Sequence, residues 1–359
     1  MKLYIIAGEA SGDLHGSNLI KEIKQLDPTT DIRCWGGELM QAEGGKLVKH
    51  YRDLAFMGFV EVLLNLRTIL RNIDFCKSDI LEYNPDTIVL IDYPGFNLRI
   101  AEWAKKQGIR VVYYISPQIW AWKQGRVHKI KKVVDEMCVV LPFEQDFYKK
   151  FDYPVHFVGH PLLDEIEKKQ FHQEREKLIV LLPGSRKQEI KRMLPIMLEA
   201  SKHFPEYKYV IAGAPGQEAA FYQQFMTNSN IELVFGKTYE LLNKASIGLI
   251  TSGTATLEAG LFKLPQIVCY KGSAISIAIA RMIIKIKYIS LVNLILDRSA
   301  VLELIQSDLN QDRLQKEMSE LLFSPERKEK MKSDYDELHQ ALGGKGASKR
   351  TAMIVLKSS

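Results

Sequence analysis

Two glycine-punctuated turns, Leu182-Pro183-Gly184-Ser185-Arg186 and Thr251-Ser252-Gly253-Thr254-Ala255-Thr256-Leu257-Glu258, each follow an apolar strand-like run and open a helix-like one. That placement suits a diphosphate. A helix start presents unpaired backbone N–H groups and the positive end of a dipole, and glycine with small hydroxyl residues lets a phosphate come close. Arg186 adds a planar cation that can grip phosphate oxygens in pairs. Gly184, Ser185, Arg186, Ser252, Gly253 and Thr254 are therefore candidate ligands of a nucleotide diphosphate. Glu258 lies in the helix that the second turn opens. It reads either as an acid favoured by the helix dipole or as the acceptor of both hydroxyls of a ribose, and the presence of Arg186 favours the second.

A second polar group falls in the first half. Asp92 follows the apolar run Thr87-Ile88-Val89-Leu90-Ile91 and precedes Tyr93-Pro94-Gly95-Phe96-Asn97. A carboxylate at the carboxyl end of a strand can take the proton of an attacking hydroxyl; the alternative is that it caps the following turn. The loop Gly8-Glu9-Ala10-Ser11-Gly12-Asp13-Leu14-His15-Gly16 gathers Ser11, Asp13 and His15 at one mouth. The alternative there is a turn capped by Asp13 or Ser11. The loop is not GxGxxG, and Ile32 to Trp35 runs into Gly36-Gly37 without the acid a dinucleotide site needs, which argues against a dehydrogenase. The one Asp-x-Asp, Asp334-Tyr335-Asp336, sits in a charged helical segment and reads as a solvated face. No metal and no cofactor are expected, so the charge of a leaving diphosphate falls to the two turns and Arg186.

The elements that must hold these groups alternate along the chain. Leu3 to Ala7, Thr87 to Ile91, Val111 to Ile115, Met137 to Leu141 and His156 to Val158 are short apolar runs separated by amphipathic ones. The rhythm restarts after the charged stretch Glu165 to Lys177 with Leu178 to Leu182, Tyr209 to Ala212, Ile231 to Phe235, Ile247 to Thr251 and Gln266 to Cys269. Such alternation predicts an α/β fold of two Rossmann-like domains facing across a cleft, with ligands beyond the carboxyl ends of the strands. The expected division is 1–165, 166–330 and a helical tail 331–359, whose apolar Ala352-Met353-Ile354-Val355-Leu356 must dock on a core. A length of 359 residues agrees with two domains. An apolar share of 46% and a charged share of 26% are those of a water-soluble globular chain. A net charge of +6 favours anionic partners without requiring nucleic acid. Cys34, Cys76, Cys138 and Cys269 are widely spaced, which points to neither zinc nor a disulfide framework and suits a reducing compartment. The apolar run near Met1 is too short for a signal peptide and reads as the first strand.

Two apolar segments exceed what a soluble enzyme needs. Phe59 to Arg71 is helical in pattern and apolar over more than one face, with Val60, Val62, Leu63, Leu66, Ile69 and Leu70 as its apolar residues. Gly272 to Leu296 is isoleucine-rich but interrupted by Arg281, Lys285 and Lys287, so it cannot span a bilayer. Each reads as a helix at a membrane interface or as a buried core helix. Trp120 and Trp122 with Lys123, Arg126, Lys129, Lys131 and Lys132 could join that surface, bind a substrate phosphate, or form a solvated face.

Taken together, these segments resemble bacterial lipid-A-disaccharide synthase, an inverting glycosyltransferase family of the GT-B type. The resemblance covers nearly the whole chain through Ala7 to Asp13, Met40 to Gly44, Met57 to Leu63, Ile91 to Asn97, Ser116-Pro117-Gln118-Ile119-Trp120-Ala121-Trp122, Leu141 to Glu144 and the two glycine turns. It implies transfer of a sugar from UDP-2,3-diacylglucosamine to 2,3-diacylglucosamine 1-phosphate, giving a β-1,6 disaccharide and UDP. By the same resemblance Asp92 is the essential acid, Arg186 binds phosphate, and Glu258 and Asn293 serve the nucleotide; the residues themselves suggest that Glu9 or His15 helps Asp92 take the proton of the acceptor hydroxyl. Gly95 stands where relatives often carry a second aspartate, and Val292 where they often have proline. The resemblance further implies a cytoplasmic protein held at the inner face of the membrane through Val60 to Leu70. It also implies a last helix that crosses back to the N-terminal domain and can be exchanged in a homodimer. The competing readings are a UDP-sugar 2-epimerase on the same fold and a non-catalytic nucleotide-sugar or lipid binding protein.

Overall fold

Strands whose two faces are both covered need apolar residues at every position, and the longest apolar runs of the chain become the central strands of two parallel sheets. The computed structural model describes residues 1–53, 66–166, 174–226, 230–272 and 287–357. Of the segments discussed above, the linker residues 167–173, the apolar Val60, Val62 and Leu63, and residues 273–286 with the basic Arg281 and Lys285 lie outside the described residues. The chain divides into two compact units, Met1–Asp164 with Leu342–Ser359, and Glu165–Ala341.

In the first unit β1 (Lys2–Ala7), β2 (Asp31–Gly36), β3 (Lys46–His50), β4 (Thr87–Ile91), β5 (Arg110–Tyr114), β6 (Glu136–Val139) and β7 (His156–Phe157) form one parallel sheet. Its order is β3-β2-β1-β4-β5-β6-β7. In the second unit β8 (Glu176–Leu182), β9 (Lys208–Gly213), β10 (Ile231–Phe235), β11 (Ala245–Thr251), β12 (Gln266–Tyr270) and β13 (Leu302–Ile305) run in the order β10-β9-β8-β11-β12-β13. Both orders reverse direction at the first strand of the unit, between β1 and β4 and between β8 and β11. That reversal is the Rossmann switch point, where the helices leaving adjacent strands go to opposite faces and open a crevice. Ile6 pairs with Leu90 and Ile250 with Leu182, so the residues following these four strands emerge side by side.

Helix Pro325–Ala341 belongs wholly to the second unit, so the expected boundary at 330 falls inside it. The reason is close packing. Gly260 lets the helix approach until Leu338 and Tyr335 lie 3.0 and 3.3 Å from where a Cβ would stand. The Tyr335 hydroxyl donates to the Leu264 carbonyl at 2.9 Å. Beyond Ala341 the turn at Gly343, Gly344 and Gly346, all at positive φ, returns the chain to the first unit. The last helix, Ala347–Leu356, packs its buried Ala352 and Val355 against helix Ala10–Leu26. The Asp164 carboxylate accepts the N–H groups of Gly346 and Ser348 at its start. The Arg110 guanidinium donates to the Ile354 and Val355 carbonyls at its end.

On the opposite face helix Leu66–Tyr83 is pinned by a buried polar chain. The Trp35 indole donates to the Tyr4 hydroxyl at 2.7 Å, that hydroxyl donates to Asp79 at 2.5 Å, and Arg33 pairs with the other Asp79 oxygen at 2.6 Å. Removing one partner of a buried pair strands the others. Asp79→Ala should therefore cost about 3 kcal/mol of unfolding free energy in urea denaturation followed by Trp fluorescence. A loss below about 0.5 kcal/mol would show that the chain of bonds contributes nothing to the docking of this helix.

Candidate active site

At the first switch point the chain leaves β4 through two consecutive left-handed residues, Asp92 at φ 44° and Tyr93 at φ 47°. Such a conformation in non-glycine residues is strained and needs local support. The support is a set of bonds to the Asp92 backbone. Its N–H donates to the Tyr114 carbonyl at 3.1 Å, and its carbonyl accepts from Asn97 Nδ2 at 2.8 Å and the Tyr113 hydroxyl at 2.5 Å. Helix Pro94–Lys106 has Tyr93 at its N-cap position and no side-chain cap, so the capping alternative for Asp92 does not hold. The Asp92 carboxyl is half-buried, and its pKa is pushed up to about 6 by burial and then by the charge of Glu9, against a backbone N–H bond that lowers it. Glu9 is thus brought within electrostatic reach of Asp92 from the end of β1. Gly8 is required here because the Tyr93 ring lies 2.4 Å from where its Cβ would be.

His15 lies one helical segment further on, half-buried and grouped with His160. Burial, and then the charge of His15, push His160 down to about 3, while its Nδ1 accepts the Leu162 N–H at 3.3 Å. His160 thus stays neutral at ordinary pH. Asp13 has a structural role: its carboxylate accepts the N–H groups of Gly37, Leu39 and Met40 and caps helix Glu38–Ala42. Neither Asp13 nor Ser11 caps its own helix, whose N-cap position is taken by Glu9.

At the second switch point Gly184 sits at φ 113°, where a Cβ would also strike Glu189 at 2.7 Å. Glu189 Oε2 accepts the N–H groups of Ser185 and Arg186 at 3.1 and 3.3 Å, and Oε1 lies 3.5 Å from the Arg186 guanidinium. The Arg186 side chain is 67% exposed and so remains accessible to an anion. The other turn has Gly253 at φ 156° and ψ −165°, a region essentially restricted to glycine. Nothing lies within 4 Å of a Cβ built there, so there is open space over the start of helix Thr254–Leu261. Thr254 is exposed beside it. Glu258, half-buried, accepts the Tyr239 hydroxyl at 3.0 Å, and burial raises its pKa against that bond.

Asn293 differs from the expectation. Its Nδ2 donates to the Val301 carbonyl and Glu303, its Oδ1 accepts the Ala300 and Val301 N–H groups, and the residue is 0% exposed. An amide has two donor hydrogens and two acceptor lone pairs, and all four are engaged. Direct contact with a nucleotide is therefore closed to this side chain. It acts instead through its neighbours: Glu303 also receives the N–H groups of Ile289 and Ser290, and the Ile289 carbonyl accepts the Ser252 hydroxyl at 2.7 Å. The hydroxyl proton of Ser252 is committed there, which leaves backbone N–H groups to face a phosphate at this turn.

Of the apolar surface residues, Leu66 opens helix Leu66–Tyr83 with its side chain outside the described residues. Ile69 is half-buried against the core, and Leu70 is 47% exposed. Sequence reasoning passed over Glu9's electrostatic partner Tyr93, and also His160, Glu189, Tyr239 and Glu303. Each is a single polar residue whose role depends on a contact distant in sequence or on one turn of helix.

Asn293→Ala should lower the unfolding free energy by about 2 to 4 kcal/mol in urea, because it takes their amide partner from the buried Val301 N–H and carbonyl and one donor from Glu303. Unchanged stability with lost UDP affinity would restore the direct-contact reading.

Comparison with known proteins agrees with this geometry. The family described as Lipid-A-disaccharide synthetase matches residues 3–358. The lipid-A-disaccharide synthase of Geobacter metallireducens is 37% identical, over 99% of this chain and 97% of that protein. That of Syntrophus aciditrophicus is 38% identical, over 98% and 96%. Among solved structures, the glycotransferase of kitacinnamycin superposes with a TM-score of 0.68 at 14% identity, over 99% and 97% of the two chains. The UDP-GlcNAc 2-epimerase of Neisseria meningitidis, bound to UDP-GlcNAc, gives 0.64 at 16%, over the full length of both chains. These two likenesses concern the fold, which glycosyltransferases and epimerases share. The two Rossmann-like units, the paired glycine turns at the switch point of the second and the full-length match in sequence mean that this chain belongs to the lipid-A-disaccharide synthetase family and is a glycosyltransferase.

Proposed function

We propose that this chain transfers 2,3-diacylglucosamine from UDP-2,3-diacylglucosamine to the 6-hydroxyl of 2,3-diacylglucosamine 1-phosphate. The observation that carries the reading is a division of labour. A carboxyl with raised proton affinity stands at the first switch point, and an exposed arginine beside open glycine turns stands at the second. In this reading Asp92 accepts the proton of the acceptor hydroxyl as its oxygen attacks the anomeric carbon. The bond from that carbon to the diphosphate breaks on the opposite side, UDP departs, and the proton ends on Asp92. Burial, and then the negative charge of Glu9, raise the proton affinity of Asp92. Arg186 and the start of helix Thr254–Leu261 take up the charge that develops on the diphosphate, and Glu258 with Tyr239 receives the ribose. The first unit then serves the acceptor and the second the UDP-sugar.

Acylated substrates reside in a membrane, and the first unit carries surface suited to one. Helices Leu66–Tyr83, Pro94–Lys106 and Val127–Val133 pack side by side. On or beside them lie exposed Leu70, Arg67, Arg71 and Arg99, and Trp122 at 47% exposure with Lys123 4.0 Å over its ring. Apolar and basic residues together favour peripheral attachment to an anionic leaflet. Among the described residues no helix is long and apolar enough to cross a membrane. We accordingly propose the inner face of the cytoplasmic membrane as the site of action. A homodimer that exchanges its last helix would make the Asp164 and Arg110 contacts between chains, which native mass measurement tests.

Incubation with both acylated substrates should release UDP and yield a disaccharide 1-phosphate by mass, and Arg186→Ala should lower kcat/KM for the donor about 100-fold. Epimerised donor with no coupled product would support the epimerase reading instead. The pH dependence follows from Asp92. Its ionised form is the base, so kcat/KM should be level above about 6 and fall as pH drops through that value. Asp92→Asn should lose at least about 100-fold in kcat while keeping UDP affinity. Wild-type turnover by Asp92→Asn would exclude it as the base.

A further inference from the structure

The segment Ser116-Pro117-Gln118-Ile119-Trp120-Ala121-Trp122 and the buried acid Glu144 have no part in the mechanism above, yet they meet in one place. The segment leaves β5, the strand next to β4, just after Tyr114, whose carbonyl holds the Asp92 N–H at 3.1 Å. It turns away through Ile115, which is left-handed at φ 66°. Residues beyond the carboxyl end of the strand adjoining a switch point form a wall of the ligand crevice. This wall is therefore one of the two neighbours of the proposed base along the sheet rim, the other being the Gly8–Glu9 loop after β1.

Glu144 is 1% exposed and stands under that wall. Its Oε2 accepts the N–H groups of Leu141 and Val140 at 3.0 and 3.2 Å. Burial pushes its pKa up to about 7 and the bonds from the Leu141 and Val140 N–H groups pull it back, and those bonds fix the start of helix Phe143–Lys149. That helix carries Phe143 and Tyr148 to the segment. Around them the Ser116 hydroxyl pairs with the Tyr148 hydroxyl at 2.7 Å, and the Trp120 ring meets Phe143 edge-on at 4.9 Å. The segment is thus held by one tyrosine hydroxyl and one aromatic edge from a helix whose start is fixed by a buried acid. The exposed end of the segment carries Trp122 with Lys123 and Arg126 over its ring at 4.0 and 5.7 Å. An aromatic face bordered by cations suits a ligand with both apolar and anionic parts.

We infer that Glu144, with Tyr148, is a positioning residue that latches the Ser116–Trp122 segment as the acceptor-side wall of the site beside Asp92. The inference rests on the assignment of the acceptor to the first unit. Loss of the latch frees the segment without touching the turns that hold the nucleotide, so it affects one substrate and not the other.

The test is steady-state kinetics with the two acylated substrates varied independently, on wild type, Glu144→Ala, Glu144→Gln and Tyr148→Phe, together with acrylamide quenching of Trp fluorescence. Glu144→Ala should raise the acceptor KM at least 10-fold, leave the donor KM within twofold and increase quenching. Glu144→Gln, which keeps the shape and an acceptor oxygen, should recover most of that loss. Tyr148→Phe, the mildest change, should raise the acceptor KM about threefold and keeps the test intact if Glu144→Ala fails to fold. Equal changes in both KM values, no change in either, or a Glu144→Gln as impaired as Glu144→Ala would overturn the inference. Absence of turnover in the wild type would instead overturn the proposed function, and quenching unaltered by these substitutions would overturn the latch on its own.

Discussion

A parallel strand covered on both faces spends its backbone groups on its neighbours and its side chains on the core. Only the residues just beyond its carboxyl end can meet a ligand, and only where the chain reverses its winding do those ends open into a crevice. This chain obeys the constraint twice. In the first unit it brings Glu9 and Asp92 together, and in the second it brings the Gly184–Arg186 turn beside the Ser252–Thr254 turn. The placement is held by backbone strain as well as topology. Asp92 and Tyr93 are both left-handed, at a cost on the order of 1 to 3 kcal/mol each. Asn97, Tyr113 and Tyr114 offset that cost by fixing the Asp92 peptide groups from three sides.

The electrostatics of the two units differ in a way that suits transfer between two substrates. Around Asp92 burial and a like charge favour the protonated form, so the carboxyl is prepared to receive a proton at a pH close to neutral. Arg186 by contrast stands exposed with its charge fixed. Glu189 accepts the N–H groups of that turn and lies 3.5 Å from the Arg186 guanidinium, which ties the arginine-bearing loop to the helix that follows it. The polar lattice of Asn293 and Glu303 does similar work for the other turn, reaching Ser252 only through Ile289.

Much of this was legible in the sequence because the central strands are apolar at every position. Thr87 to Ile91 and Ile247 to Thr251 announce themselves, and a glycine turn after a strand is visible one residue at a time. Edge strands are less visible. Lys46–His50 and Leu302–Ile305 are half-buried and carry charged residues, so no apolar run marks them. Asn293 is illegible for a different reason: its type and position match a family's functional residue, but whether an amide faces ligand or protein depends on partners 7 to 10 residues away. The same holds for Asp13, whose carboxylate serves a helix 24 or more residues further on. The tail boundary was set by composition, whereas the actual return is fixed by the contact of Tyr335 and Leu338 with Gly260.

The account stands on a single displacement, with Asp92 taking the proton of the acceptor while UDP leaves from the opposite side. The configuration of the new linkage reports on this directly. Proton NMR of the product formed from the α-linked donor should show a β-linked anomeric proton with a large diaxial coupling. An α-linked product, formed with retention, would contradict it.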